Sequence, residues 1–184
     1  MKDTDNTVSN TVEEILCQLK GQLVESISVE RSSALDHTIS QMVILHLPQK
    51  DISIWSEEVE NRPDEYPDLA QISVYREPKG CWDSLGERLV LFPLGEVVDS
   101  VELITDIVTI KEKAQSPFHL FNTRGIAVKF GSKTLWLEKE YVWSEVLKVT
   151  LAPRSEAYVF QNEWTVPVDD DETTYQSETE RRTI

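Results

Sequence analysis

The sequence predicts a β-rich α+β fold, in which one N-terminal helix precedes two similar antiparallel β-units that form one sandwich or partly open barrel. Three observations support this prediction. A helix signal ends at a glycine, short apolar segments then alternate with turn signals, and one stretch recurs. Gly21–Val29 and Gly95–Leu103 both read Gly, polar, aliphatic, Val, acid, Ser, β-branched, polar, aliphatic. Such a repeat predicts tandem duplication of one structural unit.

The N-terminal helix is predicted over about residues 12–20, where apolar side chains recur at helical spacing. Thr11 and Glu14 have the spacing of a capping box, which would start the helix. Gly21 is a natural residue to end it. Residues 1–10 are polar and acidic, and we expect them to form a disordered lead.

The remaining chain divides into predicted segments by composition. The two β-units span about residues 21–76 and 95–151, and a connector containing proline and glycine, 77–94, joins them. Together with the helix they are expected to form a single globular domain over residues 11–168. The tail, 169–184, starts with four consecutive acids and carries almost no apolar residues, so we expect it to be disordered.

Two further matches favour duplication. Leu45–Ile54 and Val128–Leu137 both read apolar-polar-apolar, a turn containing Lys, then apolar-x-apolar. Leu69–Val74 likewise resembles Val146–Leu151, within a residue of register. The matches occur in the same order in both units. Chance alternation is common between β segments, so convergent strand patterning stays open as the alternative.

Charge limits the classes of partner. The formal net charge is -15 over 184 residues. Such a charge disfavours binding to nucleic-acid backbones and anionic membranes, which need basic surfaces. It is compatible with a basic protein partner, although acidity can also serve solubility alone. No apolar run approaches 18 residues and no signal-peptide pattern is present, so we expect a cytoplasmic protein.

No motif identifies a chemistry. The six glycines are not clustered, which argues against a phosphate-binding loop, and no paired Cys/His pattern indicates zinc. Pro67-Asp68 followed by Glu77-Pro78-Lys79 resembles the PD…ExK pattern of restriction-like nucleases, but Pro78 would interrupt the strand which that pattern needs. A Cys81–His119 pair stays open. The sequence therefore favours a protein that is not an enzyme and has neither cofactor nor metal.

One acidic segment stands out as a candidate interface. Residues 57–68 contain six acids and one arginine, and they lie close to Trp55 in the chain. Aromatic side chains beside dense carboxylates can anchor and steer a basic partner. The alternative is a solvated loop, with Trp55 packed in the core. The candidate binding residues are Trp55, Glu57, Glu58, Glu60, Asp64, Glu65, Tyr66 and Asp68.

These features favour a non-catalytic protein-binding module, most concretely a small acidic inhibitor of a basic partner, like the immunity proteins of bacterial toxin systems. The analogy rests on size, charge and the lack of catalytic motifs. Two alternatives stay open. One is an enzyme or small-molecule binder with its site between the two β-units, near His119 or Trp136. The other is a structural protein that self-associates through open edge strands, giving for example a homodimer.

Overall fold

A computed structural model describes residues 3–30, 35, 38–58, 69–82, 88–112, 116–139, 144–155 and 173–184. These residues form a β-rich fold with one short helix and a large antiparallel sheet that is not closed, which confirms the β-rich part of the prediction. The elements in chain order are β1 (Thr4–Asn6), α1 (Asn10–Cys17), β2 (Leu23–Glu30), β3 (Thr38–Ser40), β4 (Met42–His46), β5 (Lys50–Glu58), β6 (Ala70–Pro78), β7 (Leu89–Glu112), β8 (Phe118–Phe130), β9 (Lys133–Lys139), β10 (Leu147–Pro153) and β11 (Thr173–Thr183).

Helix α1 exists, but it lies earlier in the chain than predicted. Ser9 is its N-cap, with extended φ and ψ of -67° and 158°, and its hydroxyl accepts a hydrogen bond from the Val12 amide. The capping box at Thr11 is therefore wrong, because Thr11 already lies inside the first turn. The helix buries Val12 and Leu16 against the core, and its C-cap is Gln18.

Both termini form strands where composition predicted disorder. β1 pairs in parallel with β8, and buried Asn6 donates through Nδ2 to Asn122 Oδ1 at 2.8 Å and to the Ala70 carbonyl at 2.9 Å. β11 pairs antiparallel with β7 along its whole length, from Thr173 to Thr183. Backbone hydrogen bonds hold both strands, and these bonds need no apolar side chains. Residues 169–172 of the predicted tail lie outside the described part.

β7 joins the sheet together. The strand order is β3-β10-β9-β8-β7-β2-β4-β5-β6, with β1 added to β8 and β11 added to β7. The first part of β7 pairs with β2, and the rest lies between β8 and β11. We call β2, β4, β5 and β6 the N-terminal half-sheet, and β7, β8, β9 and β10 the C-terminal half-sheet.

The predicted connector 77–94 is partly strand, because its ends belong to β6 and β7. Pro93 lies in β7 opposite Ser26, beside an irregularity in the pairing between Val24 and Ser26. Proline lacks an amide donor, and within sheets it is tolerated at such bulges. The prolines of this segment therefore do not prevent strand pairing.

One apolar core lies beneath both half-sheets. Its buried members include Ile27, Leu45 and Ile54 from the first half and Val101 and Val128 from the second. β3 follows β2 in the chain but pairs with β10, the last strand of the other half-sheet. The sheet must therefore curve until its β10 side returns to the start of the N-terminal half-sheet.

An ion pair links β11 to α1. The Arg182 guanidinium donates from Nη1 and Nη2 to the two carboxylate oxygens of Glu13, each at 2.7 Å. These hydrogen bonds hold the pKa of Glu13 below its ordinary value. A carboxylate with a depressed pKa stabilises the fold above its ordinary pKa, and that contribution is lost as the pH falls.

Arg182→Ala is expected to lower the free energy of unfolding at neutral pH by up to about 1 kcal/mol, because the pair is largely exposed. The difference from the unsubstituted protein should shrink below the ordinary pKa of glutamate, as measured by urea unfolding across the acidic range. Arg88→Ala removes the same charge from another exposed position and serves as the control. A difference that persists unchanged at acidic pH would contradict the role of Glu13.

Candidate functional site

The N-terminal half-sheet has one face in the core and one face turned away from it. Directly paired residues of antiparallel strands point to the same side of the sheet. Ile27 and Leu45 form such a pair and lie in the core. The neighbouring pairs therefore point away from the core and form a row across the strands. We call this side the outer face; the row contains Leu91, Ser28, Ile44, Ser53 and Tyr75.

A chain of polar contacts lies on the outer face. Ser28 Oγ is 2.8 Å from His46 Nε2, and His46 Nδ1 is 3.0 Å from Asp51 Oδ1. Asp51 is fully buried, and its Oδ2 accepts a hydrogen bond from the Gly80 amide at 3.1 Å. Because the Asp51 carboxylate can only accept, the network assigns the imidazole proton to Nδ1, and Nε2 accepts from the Ser28 hydroxyl.

Lys79, at the start of the connector, contacts the same polar residues around Asp51. Its Nζ donates to Glu25 Oε2 at 2.9 Å and to the Leu47 carbonyl at 2.7 Å, and it lies 3.7 Å from Asp51 Oδ1. We call Ser28, His46, Asp51, Lys79 and Gly80 the Asp51 network. Its contacts join β2, the β4–β5 hairpin and the residues that follow β6.

The Ser28–His46–Asp51 order is that of a nucleophilic catalytic triad, which also needs donors for an oxyanion. Ser28 is only 3% exposed. It lies in the middle of β2, paired with Ile44 on one side and with Leu91 on the other. The Ser28 amide therefore belongs to the sheet and cannot serve an oxyanion. The network satisfies a buried carboxylate and fixes the connector.

Asp51→Ala is expected to lower the free energy of unfolding by about 3 kcal/mol, because it leaves the partly buried donors of His46 and Gly80 without their acceptor. Ser28→Ala removes one hydrogen bond and is expected to cost about 1 kcal/mol. Urea unfolding of the two variants compares these losses. Equal losses would show that Asp51 does not organise the network.

Aromatic and acidic side chains meet at the other end of the outer face. The Tyr75 hydroxyl donates to Glu57 Oε2 at 2.8 Å. This hydrogen bond raises the pKa of Tyr75, and partial burial and the negative charge of Glu77 act in the same direction. Trp55 packs against Trp82, with ring centroids 6.0 Å apart and planes tilted by 52°. We call Trp55, Glu57, Tyr75, Glu77 and Trp82 the acidic–aromatic cluster.

The predicted binding residues divide into two groups. Trp55 is half-buried on the outer face, Glu57 accepts the Tyr75 hydrogen bond, and Glu58 is exposed at the end of β5. Tyr75 was not among the predicted residues. Tyr75 directly follows buried Val74 in β6, and the alternation of a strand therefore indicates that Tyr75 points to the other face. The other predicted residues, Glu60, Asp64, Glu65, Tyr66 and Asp68, lie outside the described part.

The other candidate residues lie elsewhere. His119 Nδ1 is 3.3 Å from Asp3 Oδ1, and its ring lies beside Phe121. Trp136 is 5% exposed, packs with apolar neighbours, and has the Arg181 guanidinium 5.4 Å from its ring centre. Cys81 is exposed in the segment after β6.

The described residues contain no group of three or more His, Cys, Asp or Glu side chains placed to hold a metal ion. No helix among them is long and apolar enough to cross a membrane. Comparison of the chain with protein-family models, with curated proteins and with solved structures finds no match. The function is therefore inferred from the outer face itself.

Proposed function

We propose that this protein is a non-catalytic binding module, most concretely an acidic inhibitor that covers a basic surface of another protein. The acidic–aromatic cluster carries this proposal. It places the Glu57 carboxylate against a 44%-exposed Tyr75, beside half-buried Trp55, on a chain of net charge -15. Aromatic side chains of this kind are frequent anchors in protein interfaces. Immunity proteins of bacterial toxin systems are the nearest functional analogy.

Electrostatics supports a basic partner. A strongly acidic surface accelerates the encounter with a basic one, and this effect weakens as salt screens the charges. Within the acidic–aromatic cluster, the carboxylates of Glu57 and Glu77 both raise the pKa of Tyr75. A lysine or arginine of a partner would therefore be attracted to the negative charge of these two carboxylates.

We further infer that the two β-units arose by duplication, in one curved sheet of the sandwich or partly open barrel type. Strand registers support the inference. Ile27 pairs with Leu45, and their counterparts in the sequence alignment, Val101 and Val128, pair with each other. Leu23 pairs with Val97, its own counterpart in the repeat. Equivalent residues would pair in this way across a pseudo-two-fold axis.

The chemistry of the two units differs at matching positions. The counterparts of Ser28 and His46 are Glu102 and Lys129, which form an ion pair. The segment of 12 residues that contains six acids also belongs to the first unit alone. If the units share an origin, their functional difference lies in the first one, which supports placing the interface on the N-terminal half-sheet.

The test is a charge-reversal experiment on binding. The protein is used to isolate its partner from the native host, and association is then measured by stopped flow at several salt concentrations. Glu57→Lys combined with Glu58→Lys is expected to slow association by about tenfold or more and to reduce its salt dependence. The matched control is Glu178→Lys combined with Glu180→Lys, which makes the same change of charge on exposed β11. If the two double substitutions slow association equally, the interface lies elsewhere.

A further inference from the structure

A line of apolar side chains is exposed beside the Asp51 network. On β7, Leu91 is 56% exposed and Val97 is 49% exposed. Pro93 lies between them and is also exposed. Leu23 of β2, which pairs directly with Val97, is 38% exposed. We call Leu23, Leu91, Pro93 and Val97 the β7 stripe.

The sheet explains why these residues share one surface. Alternate residues of a strand point to opposite faces, so Leu91 and Pro93 lie on one side of β7. Val97 lies beyond the irregularity in the β2–β7 pairing, where it is exposed and pairs with exposed Leu23. Phe92 and Leu94 point the other way and pack on the core. From Leu91 to Val97 the stripe extends roughly 20 Å, at about 3.4 Å for each residue. Single exposed apolar residues are ordinary, whereas several exposed close together are typical of an interaction surface.

We propose that the β7 stripe is the dehydrated centre of the interface with a basic protein, whose contacting segment carries apolar side chains flanked by lysine or arginine. This inference rests on the proposed function and names the chemistry of the partner. The stripe supplies the apolar centre that tight interfaces require, and the acidic–aromatic cluster supplies one charged margin.

The outer face places the two features within reach of one partner. The row from Leu91 to Tyr75 crosses five strands, β7, β2, β4, β5 and β6. Neighbouring strands lie about 4.8 Å apart, so the stripe and the cluster are separated by roughly 20 Å. Ser28, Ile44 and Ser53 between them are buried, so a single folded partner of ordinary size would span this distance by contacting the two exposed ends of the row.

The charge of the chain selects a basic partner over a second copy. Each copy carries -15, so two copies that meet through this face repel each other. Two acids close to the stripe in the chain are Glu25, which pairs with Lys79, and Asp99, which pairs with Arg154. All four side chains are at least 41% exposed, and exposed pairs contribute little energy. A cation of a partner can compete with Arg154 for Asp99 at low energetic cost, while Lys79 stays in the Asp51 network through the Leu47 carbonyl.

The experiment uses a synthetic probe, so that it does not depend on the identity of the partner. A short peptide of alternating lysine and leucine is titrated into the full-length protein and followed by calorimetry. Peptides that alternate lysine with serine, and glutamate with leucine, are titrated in parallel. We expect the lysine–leucine peptide to bind at least about tenfold more tightly than the lysine–serine peptide, since burying one leucine is worth more than a tenfold change in affinity. The glutamate–leucine peptide should not bind.

Substitutions locate the binding. Leu91→Ser is expected to lower the affinity for the lysine–leucine peptide by about tenfold and to leave the affinity for the lysine–serine peptide unchanged. Ile39→Ser is the matched control, because Ile39 of β3 is 55% exposed and lies outside the stripe. Both positions are at the surface, so neither change should prevent folding.

The outcomes separate the two proposals. If Glu57→Lys weakens binding of the lysine–leucine peptide but Leu91→Ser does not, the role of the stripe is overturned and the acidic interface stands. If only Leu91→Ser weakens binding of this peptide, the stripe stands and the acidic interface is overturned. Equal binding of the glutamate–leucine peptide, or no binding of the lysine–leucine peptide, overturns the basic and apolar character assigned to the partner.

Discussion

Replacing Gly125 with alanine is expected to lower the free energy of unfolding by about 2–3 kcal/mol. A Cβ atom at this position would lie 2.5 Å from the Leu137 carbonyl oxygen and 3.3 Å from Glu138 Cα. Both neighbours are backbone atoms of β9, which pairs with Gly125. They can move only if the two strands separate locally, and that movement disturbs the centre of the C-terminal half-sheet.

Gly131→Ala provides the matched control for this prediction. Gly131 lies in the turn between β8 and β9, and a Cβ there has no atom within 4 Å. Its substitution should change the free energy of unfolding by no more than about 0.5 kcal/mol. Thermal and urea unfolding of the two variants give the comparison. Comparable stability of both would mean that β8 and β9 are less closely packed than the structure shows.

Arg124→Met is expected to destabilise the fold by about 3–5 kcal/mol, because it takes a cation away from two buried carboxylates. The Arg124 guanidinium lies 3.2 Å from Asp106 Oδ2 through Nη1 and 2.7 Å from Glu138 Oε1 through Nη2. All three residues are buried. Arg124 sits where the pairing of β7 with β8 is irregular, between Ile104 and Thr105, so its side chain also holds this irregularity in place.

The exposed ion pair of Arg154 with Asp99, at 2.6 Å, offers the comparison for Arg124. Its side chains are 46% and 44% exposed. Arg154→Met should therefore cost no more than about 1 kcal/mol. Urea unfolding measures both substitutions under one condition. If Arg124→Met proves as mild as Arg154→Met, the buried network does not carry the stability assigned to it.

The sequence predicted the architecture best where local conformation leaves a direct mark. Gly21 and Gly95, which open the repeat, both adopt positive φ, at 78° and 67°. Left-handed backbone of this kind favours glycine, so the glycine that opens each copy of the repeat is explained by the backbone conformation at that position. The hairpin at Leu45–Ile54 also follows its prediction, because apolar alternation around a short turn fixes the pairing.

The terminal strands could not be read from composition. β1 and β11 contribute few apolar side chains, and their partners, β8 and β7, are distant in the chain. Only the unpaired edges left by the rest of the sheet give these segments a reason to become strands. The helix prediction was wrong at its start for a smaller reason, since Ser9 and Thr11 are both acceptable N-caps by residue type.

The third repeat match shows the limit of strand alignment. Its sequence alignment places Val74 opposite Leu151. In the sheet, Val74 pairs with Ile54, and the equivalent pair is Val149 with Leu137. The sequence match is therefore displaced by two residues, which is one full period of a strand and leaves the side-chain pattern unchanged.

The polar networks depend on which strands pair and in which register, and a single sequence does not reveal this. His46 and Asp51 face each other across the β4–β5 turn, so their contact follows once that hairpin is assigned. Ser28 comes into reach only when β2 pairs with β4. Arg124, Asp106 and Glu138 resemble surface charges in the sequence, and only the three-strand register brings them together. The β7 stripe was likewise not predicted, because the sequence analysis placed Leu91 in the connector and Val97 in the repeat.

Hydroxyl-radical footprinting of the protein, alone and bound to the partner isolated from its host, tests the central claim most directly. The claim is that the acidic–aromatic cluster and the β7 stripe, at the two exposed ends of the outer face, form the interface. Binding is predicted to protect Leu23, Leu91 and Tyr75 from oxidation, and to leave Ile39, which is about as exposed as Leu91, unchanged. Protection confined to Ile39 or β11, with the outer face still reactive, would contradict the claim.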